Sequence, residues 1–348
     1  MRYNIPVMKK RNSKKLICSF IVLVLISCLC GCSINQKKEE KIPIRILLLP
    51  KFEIGEITDD LPGEAQFFYE AYLKDADEYV VKSDPSDKKL YVKDGLAMYI
   101  LGMGKTNSAI NMMAILNDER FDLSNAYIIS LGCGGGAKEY ATMGDIIVAT
   151  SAIDYDLGHH ADGRDLADQN GTSWFRNELY DDMAKVSLDK ELTDKVFELA
   201  KDIKLSTTEE TRSYLNKAFA GADWAIRDPK VQRGTTLSGD NYWKGEFGHL
   251  NALKMVEAYE CPDPYAITEM EDVSIGLALK HVGKLDRYII IRACVNTDVF
   301  TLNATPESVW ARSEEIEKEA VEIFATAMDN ELKVVDTIIK AINEGDLN

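Results

Sequence analysis

The chain has 348 residues, with 57 acidic against 41 basic side chains and a formal charge of −16. So acidic a surface repels polyanions and excludes nucleic acid as the working partner. An apolar content of 46% is enough for one large core, while four histidines and seven scattered cysteines form neither a metal cluster nor a disulfide framework.

The first segment reads as an export leader. Six basic residues (Arg2, Lys9, Lys10, Arg11, Lys14, Lys15) precede an apolar run, Leu16 to Leu29, that ends in "LCGC". That layout predicts a secretory signal over 1–31. Cys32 then stands where a bacterial lipobox carries its lipid, although Cys30 is an unusual residue two positions before it. A polar tether over 32–43 leads to a single folded domain over 44–348. The apolar run is shorter than the ~20 residues of a membrane span, and no later run reaches that length. The expectation is a lipid-anchored protein on the extracytoplasmic face of a bacterial cell membrane, and neither a channel nor a carrier. The leader carries six cations and no acid, so the mature chain stands at −22. Cys18, Cys28 and Cys30 leave with it, and Cys133, Cys261 and Cys294 remain besides Cys32.

Beyond the tether, "IRILLL" (Ile44 to Leu49) predicts a strand buried on both faces. A helix is expected over Gly63 to Leu73, a strand over Leu96 to Gly104, and a helix over Lys105 to Leu116. Two buried strands follow, Ala126 to Gly136 and Asp145 to Asp156. Helical periodicity covers Lys190 to Lys204 and Thr208 to Phe219. "GTTLSGD" (Gly234 to Asp240) is a strand ending in a polar turn, and Ala252 to Ala258 is helical. An apolar strand then runs into Glu269-Met270-Glu271-Asp272 and a helix, before the strand Tyr288 to Asn296 and two acidic helices. Alternating buried strands and helices predict an α/β layer fold with a largely parallel core. In such folds ligands gather beyond the carboxyl ends of strands, where "GMGK", "LGCGGG", "LSGDNYW", "TEMED" and "VNTD" all fall.

Acidic residues at the "TEMED" junction have two readings. They complement a helix N-terminus, or Glu271 accepts hydrogen bonds from adjacent sugar hydroxyls while Met270 lies against the sugar face. Their place at a strand end favours a site. "LGCGGG" lets a ligand approach the backbone, but a strand rather than a helix follows it, so it is not a dinucleotide loop. "GMGK" is too short for a phosphate loop. Tyr242 and Trp243 offer a stacking surface, and Asn296 with Asp298 offers a donor and an acceptor to a heterocycle. Together these describe a nucleoside site.

The ordered motifs "GMGKTNSA", "LGCGGGAKEYATMGDIIVA", "GTTLSGDNYW", "TEMED" and "RACVNTD" resemble the nucleoside phosphorylase and nucleosidase superfamily. With "DYDLGHHADGRD" (Asp154 to Asp165), they are similar to its purine nucleoside permease branch. The resemblance spans nearly all of the chain from Ile44. It implies a single-domain, three-layer nucleoside phosphorylase-like α/β fold with a mixed, largely parallel central sheet, and N-glycosidic bond cleavage as ancestral chemistry. It puts Met270 and Glu271 on the ribose and Gly132, Cys133 and Gly134 beside the anomeric carbon. Tyr242 or Trp243 falls on the base, and Asn296 at the purine N7 and exocyclic group. Asn296 donates a hydrogen bond but cannot protonate, which favours 6-oxopurines unless Asp298 acts as the acid. Glu53 or Glu56 is the candidate for activating water, and Lys105 and Arg164 are the candidates for binding phosphate. Phosphorolysis and hydrolysis both stay open. So do a nucleoside-binding lipoprotein serving a separate transporter, a catalytically silent relative, and a homo-oligomer. No cofactor or metal is expected, with inorganic phosphate as the one co-substrate in view.

Overall fold

In the computed structural model, residues 40–82, 88–161, 173–310 and 314–347 are described. The predicted leader, Cys32 and Arg164 lie outside them. From Lys41 the chain is one compact unit, and no helix among the described residues is long and apolar enough to cross a membrane.

Eleven strands build the central sheet: β1 (Ile46–Leu49), β2 (Asp77–Val80), β3 (Lys89–Lys93), β4 (Leu96–Tyr99), β5 (Tyr127–Ser130), β6 (Cys133–Gly136), β7 (Ile146–Asp154), β8 (Lys185–Ser187), β9 (Val231–Ser238), β10 (Tyr265–Glu269) and β11 (Tyr288–Thr297). Their order is β8-β7-β9-β10-β6-β11-β5-β1-β4-β3-β2, and β7 also pairs with β11. That extra pairing closes β7, β9, β10, β6 and β11 into a five-stranded ring, from which β5, β1, β4, β3 and β2 run on as an open sheet. Parallel pairs join β1 to β4 and β5, β9 to β7 and β10, and β11 to β5 and β6. The other pairs are antiparallel. The sheet is therefore mixed, as expected.

The apolar runs are continuous because helices cover both faces. Ile46 and Leu48 face a core completed by Val334, Val335 and Ile338 of the long C-terminal helix. Their alternates, Leu47 and Leu49, face Met112, Ile115, Ile275 and Leu279. The helices concerned are α1 (Lys105–Leu116), α2 (Lys190–Ala200), α3 (Glu209–Ala218), α4 (Glu246–Ala258), α5 (Asp272–His281) and α6 (Glu314–Glu344). α1 packs on α5, and α6 lies along β11 against α2 and α3.

Two departures from the predicted elements shape the site. The run Ala126 to Gly136 is not one strand: it breaks at Leu131–Gly132, where Gly132 has φ +137°, and β6 leaves β5 to join the ring. β11 slips register between Cys294 and Asn296 against β6. Such a bulge re-aims side chains, and the successive residues Val295 and Asn296 both reach the same cleft.

Candidate functional site

A cleft of about 670 Å³, open to solvent, lies at the carboxyl ends of β1, β10 and β11 and along the start of β6. Its walls include Cys133, Gly134, Tyr242, Trp243, Met270, Glu271, Asn296 and Asp298. The structure thus gathers eight sequence candidates from four separate segments.

The "TEMED" junction divides its work: one carboxylate caps the helix, and Met270 and Glu271 line the cleft. Glu269 is the cap: its Oε2 accepts the N–H groups of Glu271 (2.6 Å) and Asp272 (2.8 Å) at the start of α5. Ser238 Oγ donates to Glu269 and accepts from the Val273 N–H at 2.9 Å. The first-turn donors are thereby satisfied. With the cap supplied from two residues earlier, the Glu271 carboxylate is free to face the cleft. Its Oε1 accepts the Gly104 N–H at 3.0 Å and its Oε2 accepts from Arg292 Nη2 at 3.1 Å. Glu271 is only 3% exposed. Burial pushes its carboxyl up to about 7, against the pull of Arg292 and with a further push from Glu269.

Sequence reasoning passed over Arg292, which organises this end. It is fully buried, and Nη2 meets Glu269 (3.1 Å), Glu271 (3.1 Å) and Asp272 (2.7 Å). Burial works against the charge on Asp272, yet Arg292 holds its carboxyl below the usual range. The signal was the buried Arg four residues before Asn296 in "RACVN".

Glu64 was also missed. Its Oε1 accepts the Cys133 N–H at 2.8 Å, its Oε2 accepts the Lys51 N–H at 2.7 Å, and it lines the cleft. A Cβ on Gly132 would fall 2.5 Å from Glu64 Cδ, so glycine is required for the carboxylate to sit there. Gly132 itself lies behind the wall, donating its N–H to Glu331 Oε1 at 2.7 Å. Burial pushes the Cys133 thiol well up, with Glu64 adding to the shift. Lys51 Nζ donates to Leu49 O (2.5 Å), Ser130 Oγ (2.8 Å) and Leu131 O (2.9 Å). Burial, and then Arg292, lower its pKa.

At the other end, Trp243 stacks on Tyr155 with ring centroids 4.7 Å apart and planes 12° apart. Tyr242 is 76% exposed at the mouth, and its hydroxyl accepts from Asn296 Nδ2 at 3.4 Å. Asp298 is buried with both oxygens engaged. Oδ1 accepts the Lys138 N–H at 2.9 Å and Oδ2 pairs with His249 Nδ1 at 2.7 Å.

Three candidates fall elsewhere. Glu53 accepts four backbone N–H bonds, from Ile54, Gly63, Ala65 and Gln66, and so holds the start of the helical segment Gln66–Phe68. Glu56 is exposed, and its own N–H donates to Asp60. Lys105 Nζ bridges Asp154 (2.6 Å) and Asp156 (2.7 Å), away from the cleft wall. Its ammonium is held above its usual range by those carboxylates in spite of burial. Among the described residues no group of His, Cys, Asp or Glu is arranged to hold a metal ion.

Known structures share this fold. A 5'-methylthioadenosine/S-adenosylhomocysteine nucleosidase from Neisseria meningitidis, in complex with methylthio-immucillin-A, superposes with a TM-score of 0.51 at 18% identity. The match covers 85% of this chain and 99% of that one. The corresponding nucleosidase from Colwellia psychrerythraea, in complex with adenine, gives 0.52 at 16% identity over 86% and 96%. At such identities the likeness is one of fold. In sequence, a probable purine nucleoside permease of Schizosaccharomyces pombe is 28% identical over 221 residues, 55% of this chain and 61% of the relative. A purine nucleoside permease of Candida albicans is 26% identical over 157 residues, 41% and 38% of the two chains. The chain thus matches less than two thirds of the length of these curated relatives. The purine nucleoside permease profile matches residues 43–345, and the chain belongs to that family.

Proposed function

We propose that this protein hydrolyses the N-glycosidic bond of purine nucleosides at the outer face of a membrane. The observation that carries the reading is the pair of cleft-facing carboxylates. Glu64 is pinned by two backbone N–H groups, and Glu271 stands beside Met270 where a sugar diol can be gripped. In this reading the base lies between Trp243, Tyr242 and Asn296, and Glu271 accepts hydrogen bonds from the ribose hydroxyls. Water attacks the anomeric carbon and passes a proton to Glu64. The breaking C–N bond leaves its electron pair on the purine, where an Asn296 N–H donates to the developing charge and solvent supplies the proton.

Charge favours water over phosphate as nucleophile. The cations at the cleft wall are Lys51 and Arg292, and both are occupied, by backbone and hydroxyl acceptors and by three carboxylates. Lys105 is occupied by Asp154 and Asp156. Among the described residues that line the cleft, a phosphate dianion would face Glu64 and Glu271 with no unengaged cation beside it.

A second reading is nucleoside binding for a separate transporter. It is favoured by Asn296, which cannot protonate a leaving base, and by the family's description as permeases. The test incubates the chain from Ser33 onward with inosine, adenosine and guanosine, with and without phosphate, and measures free base by chromatography. Free base without phosphate is expected, with Glu64→Gln slower by about 10²–10⁴-fold. Phosphate-dependent release would replace hydrolysis with phosphorolysis, and nucleoside recovered whole would leave the binding reading. The membrane location rests on the basic-apolar N-terminus and Cys32. Incorporation of a labelled fatty acid that is lost in Cys32→Ser tests it.

A further inference from the structure

The turn from Leu131 to Cys133 is held from two sides. From the cleft and the sheet come Lys51 Nζ to Leu131 O (2.9 Å), Glu64 to the Cys133 N–H (2.8 Å), Arg292 Nη1 to Cys133 O (3.2 Å) and the Ala293 N–H to Gly132 O (2.9 Å). From the helix layer comes Glu331 of α6, whose Oε1 accepts the Gly132 N–H at 2.7 Å. Glu331 is fully buried, and its Oε2 has no hydrogen-bond partner. Neighbours on the same helix, Met328, Val334 and Val335, belong to the apolar core. A carboxyl group at this depth on an otherwise apolar helix face is unfavourable unless it does something there. The role of Glu64 in the proposed hydrolysis does not call on it.

We propose that Glu331 is a positioning residue, which fixes the Leu131–Gly132 peptide from beneath so that the next peptide, Gly132–Cys133, presents its N–H to Glu64 in one orientation. The inference rests on the hydrolytic reading for its kinetic consequence and on geometry alone for its structural one. A backbone N–H at that depth needs an acceptor. The chain bends at Gly132, between β5 and β6, so no strand partner supplies one. Glu331 supplies it across the layer. The Cys133 N–H, in the following peptide, binds Glu64, so a tilt of the Leu131–Gly132 peptide carried across Gly132 turns the Glu64 carboxylate with it. Glu331 is fully buried with no ion-pair partner among the described residues, where a charged carboxylate is costly, so it serves as a neutral acid. Burial, with Glu64 close by, also pushes its carboxyl upward. A neutral acceptor avoids setting a second negative charge behind Glu64. It also explains why Oε2 needs no cation.

The test compares Glu331→Gln and Glu331→Met in the full chain, solubilised in detergent. The infrared spectrum of wild type at neutral pH should contain a carboxylic-acid C=O band that Glu331→Gln removes. The Gly132 amide should exchange slowly in wild type and Glu331→Gln, and on the order of 100-fold faster in Glu331→Met. In nucleoside cleavage, Glu331→Met should lose on the order of 100-fold in kcat with KM little changed, and Glu331→Gln should recover most of that loss. An unchanged band in Glu331→Gln, slow Gly132 exchange in Glu331→Met, or wild-type kcat in Glu331→Met would each overturn the proposal. If wild type cleaves no nucleoside, the hydrolytic reading falls, while the band and the Gly132 exchange still decide the placement of Glu331. If Glu331→Met does not fold, the band and exchange of Glu331→Gln decide it.

Discussion

Glu271→Gln is the substitution that separates what the fold needs from what the cleft needs. Moving this carboxyl from its ordinary 4.5 to about 7 means that ionising it costs about 3 kcal/mol more in the fold than in the unfolded chain. Between those two pH values the folded state binds more protons than the unfolded state. The contribution of Glu271 to stability therefore falls as pH rises through that window, and stays flat above about 7. Glutamine has the shape of the protonated acid and does not titrate. Arg292 keeps Asp272 and Glu269 as partners when the charge at 271 is gone. The variant should match wild type near pH 4 and be more stable by about 3 kcal/mol near pH 8.

Binding should move the other way. An ionised Glu271 can accept from two ribose hydroxyls, whereas the amide offers one acceptor oxygen and an N–H pair. That leaves a buried hydroxyl poorly matched, a loss of about 1–3 kcal/mol, or roughly 10- to 100-fold in affinity. Urea unfolding of both proteins from pH 4 to pH 8, with inosine titrations alongside, measures both effects. A stability gap that does not change with pH would refute the placement of a strained carboxylate here. Unchanged affinity would return Glu271 to being part of the helix start.

Other substitutions probe the remaining walls. In Gly132→Ala the new Cβ would meet Glu64 at 2.5 Å in a backbone conformation with φ +137°. It should cost about 1–3 kcal/mol of stability by urea unfolding and on the order of 100-fold in base release by displacing Glu64. Asn296→Asp places a group that can protonate at the base end. It should raise the ratio of adenosine to inosine cleavage by about tenfold, read by chromatography of the free bases; an unchanged ratio would separate position 296 from the leaving group.

The layer fold was legible because buried parallel strands write themselves as unbroken apolar runs. "ILLL" and "YIIIRACVN" needed no periodicity to be read. The strand-end motifs were legible for the same reason, since glycine and acid clusters stand out against such runs. Less visible was the hairpin of β2 and β3, whose "DEYV" and "KLYVK" are short, charged and partly exposed, as suits an edge. The break at Gly132 was hidden inside a run apolar on both sides of it. Glu64 and Glu331 were out of reach for a different reason. In "GEAQFF" and "DNELKVV" each looks like the polar face of a helix, and each is brought to the turn at Gly132 only by contacts across 69 and 199 residues. Glu53 and Glu56 drew the catalytic expectation because the family resemblance points to a carboxylate in "PKFEIGE", just after the first strand, and either residue could match it.

Charge balance at the inner end of the cleft connects these residues to a choice of ligand. Two cations, Lys51 and Arg292, stand among four carboxyl groups, Glu64, Glu269, Glu271 and Asp272. Above pH 7, where Glu271 is ionised, that end carries an excess of negative charge. For the proposed reaction this is an advantage, because positive charge develops on the sugar as the glycosidic bond breaks, and fixed negative groups around it lower the barrier. The same excess penalises an anionic ligand. One uncompensated charge at roughly 6 Å in an effective dielectric near 20 is worth about 3 kcal/mol before salt screening. Inosine 5'-monophosphate should therefore bind at least about tenfold more weakly than inosine at pH 8 and physiological salt, and the gap should narrow toward pH 6 as Glu271 takes up its proton. Competition titrations at the two pH values measure it. Equal binding of nucleoside and nucleotide at pH 8 would mean that a cation besides Lys51 and Arg292 completes the site, and with it the case for phosphate as nucleophile would return.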